Sequence, residues 1–152
     1  MTVLRRTISF AFMLMLGSLA FSQSNQVIDS LLAQKEAAGA ESAYLLLVGG
    51  TWVAEGATTS EAFELARQKG WLPKSVSPES KLSLASFSLL AMRSLKMRGG
   101  VGWTLFHSKR YAYRELVALG IANASGGPSR IISGEEVVRM AGLLAGSDRR
   151  QQ

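Results

Sequence analysis

The sequence predicts an all-α fold, a helical hairpin followed by two helix–loop–helix repeats, with any extended pieces confined to the connectors. Three observations lead to it. Apolar residues recur at intervals of three and four along the long segments. A shift of fifty residues superposes 58–95 on 108–145 without a gap, and Ser, Thr, Gly and Pro stand at matching places where helices would begin and end.

The first element is an export signal. Arg5 and Arg6 form a positive start, Ile8 to Leu16 form an apolar run that continues weakly to Phe21, and polar Ser22-Gln23-Ser24-Asn25-Gln26 follows. Small residues allow cleavage after Ala20 or after Ser22, and the expected cut lies between Ser22 and Gln23. About fourteen apolar residues fall short of the roughly 20 that cross a bilayer as a helix, so an uncleaved anchor is the lesser reading. Residues 1–22 are thus expected to leave, and 23–152 to form one helical domain in the periplasm or at the surface of a bacterium.

Composition limits what such a domain can do. With 47% hydrophobic and 18% charged residues the chain lies far from the signature of disorder, and roughly 130 residues suffice for a single core. The absence of cysteine excludes disulfides, thiolate metal sites, thiol nucleophiles and a lipid-bearing terminal cysteine. Without Arg5 and Arg6 the formal charge falls from +6 to +4, fifteen bases against eleven acids. That mild excess suits a solvated surface, or a patch for an anionic envelope polymer or lipid headgroup. Nucleic acid is not an expected partner outside the cytoplasm. No later run is long enough to span a membrane, since Ala43 to Val48 ends at Gly49-Gly50.

Residues 23–57 read as the hairpin. Val27, Ile28, Leu31 and Leu32 form one apolar stripe, Ala38-Gly39-Ala40 interrupts it, and Ala43 to Val48 forms a buried second element. Periodicity alone leaves that element open between strand and helix; Ala40 to Ala43 and the lack of a partner strand favour helix. Repeats follow at 58–97 and 108–146. Thr58 and Ser108 stand as N-caps, Gly70 and Gly120 as left-handed C′ residues, and Trp71 and Ile121 as residues folding back on the helix end. Pro78 and Pro128 stiffen loops of equal length, and Ser83 and Ser133 cap the second helices, the latter with Glu136 in a capping box. In those helices 87, 90, 91, 94 and 137, 140, 141, 144 form matched stripes expected to pack together. The connector 98–107 contains Gly99-Gly100-Val101-Gly102 and then Trp103, Leu105 and Phe106, which reads as a tight turn and a short extended piece; 147–152 reads as a disordered polar tail.

This tandem unit resembles the S-layer homology module of bacterial envelope proteins, most clearly in Leu119-Gly120-Ile121 through Pro128 and in Ile131-Ile132-Ser133-Gly134-Glu135-Glu136. The likeness covers about 58–146. It implies an exported, helical, repeated fold of a kind that attaches proteins to peptidoglycan-linked polymers. Family modules typically open with Phe-x-Asp and carry Thr-Arg-Ala-Glu at the second helix. Here Ser83-Leu84-Ala85-Ser86 and Ser133-Gly134-Glu135-Glu136 lack the arginine that helps engage the polymer. Family members commonly combine three modules, whereas two are visible in this sequence.

Chemistry-bearing residues are sparse. His107, the single histidine, has no cysteine and no triad partner, Glu135 and Glu136 face different ways on a helix, and Glu61 and Glu64 suit a first helical turn. Gly99-Gly100-x-Gly102 lacks the strand and Lys-Ser/Thr pair of a phosphate loop. No catalytic residue, metal ligand or cofactor is expected. The binding candidate is Lys109-Arg110-Tyr111-Ala112-Tyr113-Arg114, where Arg110 and Arg114 share a helix face, as do Lys109 and Tyr113. Two guanidiniums there can grip phosphate or carboxylate while Tyr113 or Trp103 stacks on a sugar. The same residues also suit an ordinary solvated face over a core, with Tyr113 matching Phe63. The expected function is a non-enzymatic envelope scaffold that binds an anionic polymer or an envelope protein. The alternatives are an accessory subunit docking through the hairpin around Ala43 to Val48 and, more distantly, a small hydrolase.

Overall fold

The helices begin and end on local signals. A computed structural model describes residues 23–148, which contain seven helices and no strand: α1 (residues 23–32), α2 (Gly39–Gly49), α3 (Thr59–Gln68), α4 (Leu84–Ser94), α5 (Val101–Phe106), α6 (Lys109–Ala118) and α7 (Gly134–Asp148). Thr58 and Glu61 form a reciprocal capping box at α3, and Ser133 and Glu136 exchange the same two bonds at α7, each at 3.2 Å. Ser83 accepts the Ser86 amide. Ser108 occupies the N-cap position of α6, but its hydroxyl makes no capping bond. After α3 and α6 the chain turns through Gly70 (φ +67°) and Gly120 (φ +69°). Trp71 and Ile121 then donate back to Ala66 and Leu116 at 2.9 Å, closing both helices with the same two-bond turn.

Matched pairs of residues show three units rather than two. Val27, Ala62 and Ala112 are buried at one place in α1, α3 and α6, and Leu31, Ala66 and Leu116 at the next turn. Sixteen residues separate Ala66 from Leu82 and Leu116 from Ile132, but only six separate Leu31 from Ala37. The first unit, α1 with α2, is therefore a copy whose loop is ten residues shorter, and a gapless shift of the sequence passes over it.

The three units close a ring. Ala37 N–H donates to Ile132 O at 2.8 Å, Ile132 N–H to Leu82 O at 3.1 Å, and Leu82 N–H to Ala37 O at 2.9 Å; all three residues are fully buried. Because each accepts from one neighbour and donates to the other, no buried amide is left without a partner at the junction. The ring also feeds the helix starts, whose first amides have no partner within their own helix. Gly39 and Ala40 donate to Ser80 O and Pro78 O, and Leu84 and Ala85 donate to Arg130 O and Pro128 O. Gly134 donates to Gln34 O at 3.0 Å. The prolines thus do more than stiffen their loops, since their carbonyls terminate the preceding unit's helix.

Packing follows the ring. α2 lies against α3 and α4 against α6, so the second helices of the first two units each cover the first helix of the following unit. α4 and α7 each lie against α2, and Phe87, Leu90 and Ala91 of α4 share one buried core with Val137, Met140 and Leu144 of α7. The run Ala43 to Val48 is helical, with Ala43, Tyr44, Leu46 and Leu47 buried. In α1, Val27 and Leu31 face the core while Leu32 is half exposed.

Two further expectations are corrected. Residues 101–106 form α5, not an extended piece, because Gly100 supplies an extended N-cap and Trp103 anchors one helical face in the core. At the other end α7 continues through Asp148, so helix replaces tail at 147 and 148. Residues 149–152 lie outside the described residues, as do 1–22 with the expected cleavage site at Ser22, while Gln23, the first described residue, lies in α1 and donates to Ala57 O at 3.0 Å.

Candidate functional site: the α5–α6 face

α6 carries the residues singled out in the sequence, and the core fixes which way each points. Ala112 and Leu116 are buried, which turns Lys109, Arg110 and Arg114 outward into solvent. None of the three makes an ion pair among the described residues. Tyr113 is half-buried and donates its hydroxyl to Ala124 O at 3.2 Å, so it braces the 119–133 loop as well as edging the basic face. Trp103 is only 4% exposed and lies under Arg93, whose guanidinium is 5.6 Å from the ring centroid. This corrects its reading as a sugar platform, because both faces of a stacking ring cannot be reached when the ring is packed in the core. His107 ends α5 in the left-handed conformation with its ring edge-on to Trp103, 5.0 Å away.

Comparing α6 with α3 shows what is unusual here. The first turn of α3 holds Glu61 in a capping box, while the same turn of α6 has Lys109 and Arg110, no acid and no side-chain cap. Bases at a helix N-terminus oppose the macrodipole, at a cost of about 0.3–1 kcal/mol each when exposed. The fold gains nothing visible from them.

α5 completes the face. It lies on α6 so closely that a side chain at Gly102 would meet the Tyr111 ring at 2.5 Å, and Phe106 stacks on Tyr111 with centroids 5.1 Å apart. Glu115 on α6 accepts the Gly100 amide at 3.0 Å, tying the start of α5 down. With Trp103 inward, Val101, Leu105 and Phe106 point out. The i, i+4 spacing of Val101 and Leu105, out of phase with Trp103, is the pattern in the sequence that sets those two apart from the buried ring.

Elsewhere the acidic side chains serve the fold. Glu136 forms a bidentate pair with Arg130 at 2.7 and 2.8 Å, and these bonds, with the Ser133 amide, hold its carboxyl below the usual range despite partial burial. Glu64 pairs with Arg67 and Glu36 with Lys81. A cup of about 610 Å³ at the carboxyl ends of α2, α4 and α7 is walled by Leu45, Leu95, Leu119, Ile121 and Leu143, with Lys96 on its wall, and no carboxylate or histidine lines it. Lys69 and Lys96 both place their ammonium groups over the Trp52 ring, at 4.6 and 4.8 Å, a cluster the sequence did not announce. No group of three His, Cys, Asp or Glu among the described residues could hold a metal ion.

No protein-family model, curated protein or solved structure matches the chain.

Proposed function

We propose that the protein is an exported, non-enzymatic scaffold of the bacterial cell envelope, built from three units similar to S-layer homology modules, that binds an anionic envelope polymer through the basic–aromatic side of α6. The closed ring of Ala37, Leu82 and Ile132 carries this reading. It joins three units, the number that family members commonly combine, where the sequence shows two, and so supports the resemblance. The binding side follows from charge: Arg110 and Arg114 stand four apart, exposed and without ion pairs among the described residues, beside half-buried Tyr113. Two guanidiniums so placed can each present a bidentate fork to carboxylate or phosphate. A non-catalytic role is supported by the carboxylates, since Glu36, Glu61, Glu64, Glu115 and Glu136 are all engaged in contacts that hold the fold.

Co-sedimentation with purified sacculi tests the proposal. The processed chain is expected to pellet with sacculi at low salt and to be released at high salt. Replacing Arg110 and Arg114 together by alanine should abolish pelleting without lowering thermal stability. Failure of the wild-type chain to pellet, or full pelleting of the double variant, would remove the polymer as ligand.

A further inference from the structure

We propose that α5 and the bases bracketing it seat the protein on an anionic lipid surface; the inference rests on the reading that the chain is exported to the envelope, but not on polymer binding.

The first observation is that α5 is an addition to the repeat. The connector between α2 and α3 runs over 50–58, whereas the one between α4 and α6 runs over 95–108, five residues longer, and the surplus forms α5. The ring of three units does not need it.

The second is how α5 spends its large side chains. Trp103 alone enters the core; Val101 is 76% exposed, Leu105 68% and Phe106 63%. Neither Val101 nor Leu105 belongs to the core, and most of each side chain faces solvent. Three large apolar groups clustered on so short a helix are not the scattered surface hydrophobics of an ordinary soluble domain.

The third is the charge around them. Arg98 precedes α5 and Lys109 and Arg110 follow it, all exposed and none in an ion pair among the described residues. The sister connector 50–58 contains Glu55 and no base. The added segment thus combines an apolar tip with a collar of cations, and the collar includes the two bases that oppose the dipole of α6.

These features choose the occupant. A hydrated glycan offers anions but no apolar layer for Val101 and Leu105. A bilayer offers both, an anionic plane with hydrocarbon just beneath it. Neither signal alone gives stable attachment, but a short apolar insertion together with a polybasic patch does, reversibly and with sensitivity to salt.

Flotation of the processed chain with phosphatidylcholine vesicles containing about 30% phosphatidylglycerol tests this. The chain should float with these vesicles at low salt, be released at high salt, and not float with pure phosphatidylcholine. Leu105→Ser with Phe106→Ser should weaken binding roughly tenfold or more. Lys109→Ala with Arg110→Ala should weaken it about fivefold per charge. Unchanged circular dichroism melts would show that both variants fold. Absence of flotation, flotation of the serine variant like wild type, or equal flotation with neutral vesicles would each overturn the proposal. So would a dimer in solution that the serine variant dissociates, with no flotation, because the patch would then belong to a second copy. Sacculus binding reads the polymer reading separately: the serine variant should retain it, and its loss in the wild type with flotation intact would defeat that reading alone.

Discussion

Replacing Gly134 by alanine opens the ring at its tightest point. A Cβ there would lie 1.7 Å from the Leu31 carbonyl oxygen and 2.4 Å from its carbon, both backbone atoms that no rotamer change can move. Restoring ordinary contact requires the end of α1 and the start of α7 to part by more than an ångström. That displacement strains the 3.0 Å bond from Gly134 N–H to Gln34 O and the 2.8 Å bond from Ala37 N–H to Ile132 O, each contributing about 1 kcal/mol net. Overpacking adds about 1–3 kcal/mol, and the better helix propensity of alanine returns at most about 1 kcal/mol. The net expectation is a loss of about 3 kcal/mol, or roughly 10 °C in Tm for a domain of this size. Gly142, in the same helix with nothing within 4 Å of its missing Cβ, is the internal control, and Gly142→Ala should stabilise by about 0.5–1 kcal/mol. Thermal and urea melts of the two variants read the difference. If Gly134→Ala melts with or above the wild type, the closure between the first and third units is not as described.

Two more predictions follow from local geometry and charge. Glu136 is held below its usual pKa by Arg130, so its contribution to stability is present in full above the unfolded-state pKa and is lost as pH falls through the depressed folded-state value. Glu136→Gln should therefore cost about 1–2 kcal/mol at neutral pH and flatten the acid limb of stability; equal acid slopes in the two proteins would count against the pair. Lys96 closes α4 in the left-handed conformation at φ 51° and carries its ammonium over Trp52; Lys96→Gly removes a Cβ penalty of about 1 kcal/mol and a cation–π contact of about 0.5–1 kcal/mol, so its melt should stay close to wild type, whereas Lys96→Ala, which loses only the contact, should melt lower.

The local elements were legible in the sequence because their causes are local. A glycine just past a helical run takes the left-handed turn without a Cβ penalty, as Gly70 and Gly120 do, and a serine or threonine before an apolar stripe can bond the amide three residues on, as Thr58, Ser83 and Ser133 do. α3, α4, α6 and α7 and their fifty-residue spacing were readable for that reason. The basic face of α6 was also visible, since Arg110 and Arg114 share a face on any helix. Which aromatic accompanied them was not. Trp103 and Phe106 lie three residues apart in one connector, and only packing decides that the first is buried and the second exposed.

By itself, then, the amino-acid order determined an all-α chain with repeated helices that carry their own end signals and a basic face on one of them, because capping, turn formation and helical phase depend on residues within a turn or two of one another. Tertiary structure alone decided that the hairpin is a third unit, that three buried amides bond head to tail across 37, 82 and 132, and that α5 turns Val101 and Leu105 outward. Those outcomes depend on groups brought together from far along the chain, where a loop ten residues shorter hides the match from any fixed register while leaving the geometry of closure intact.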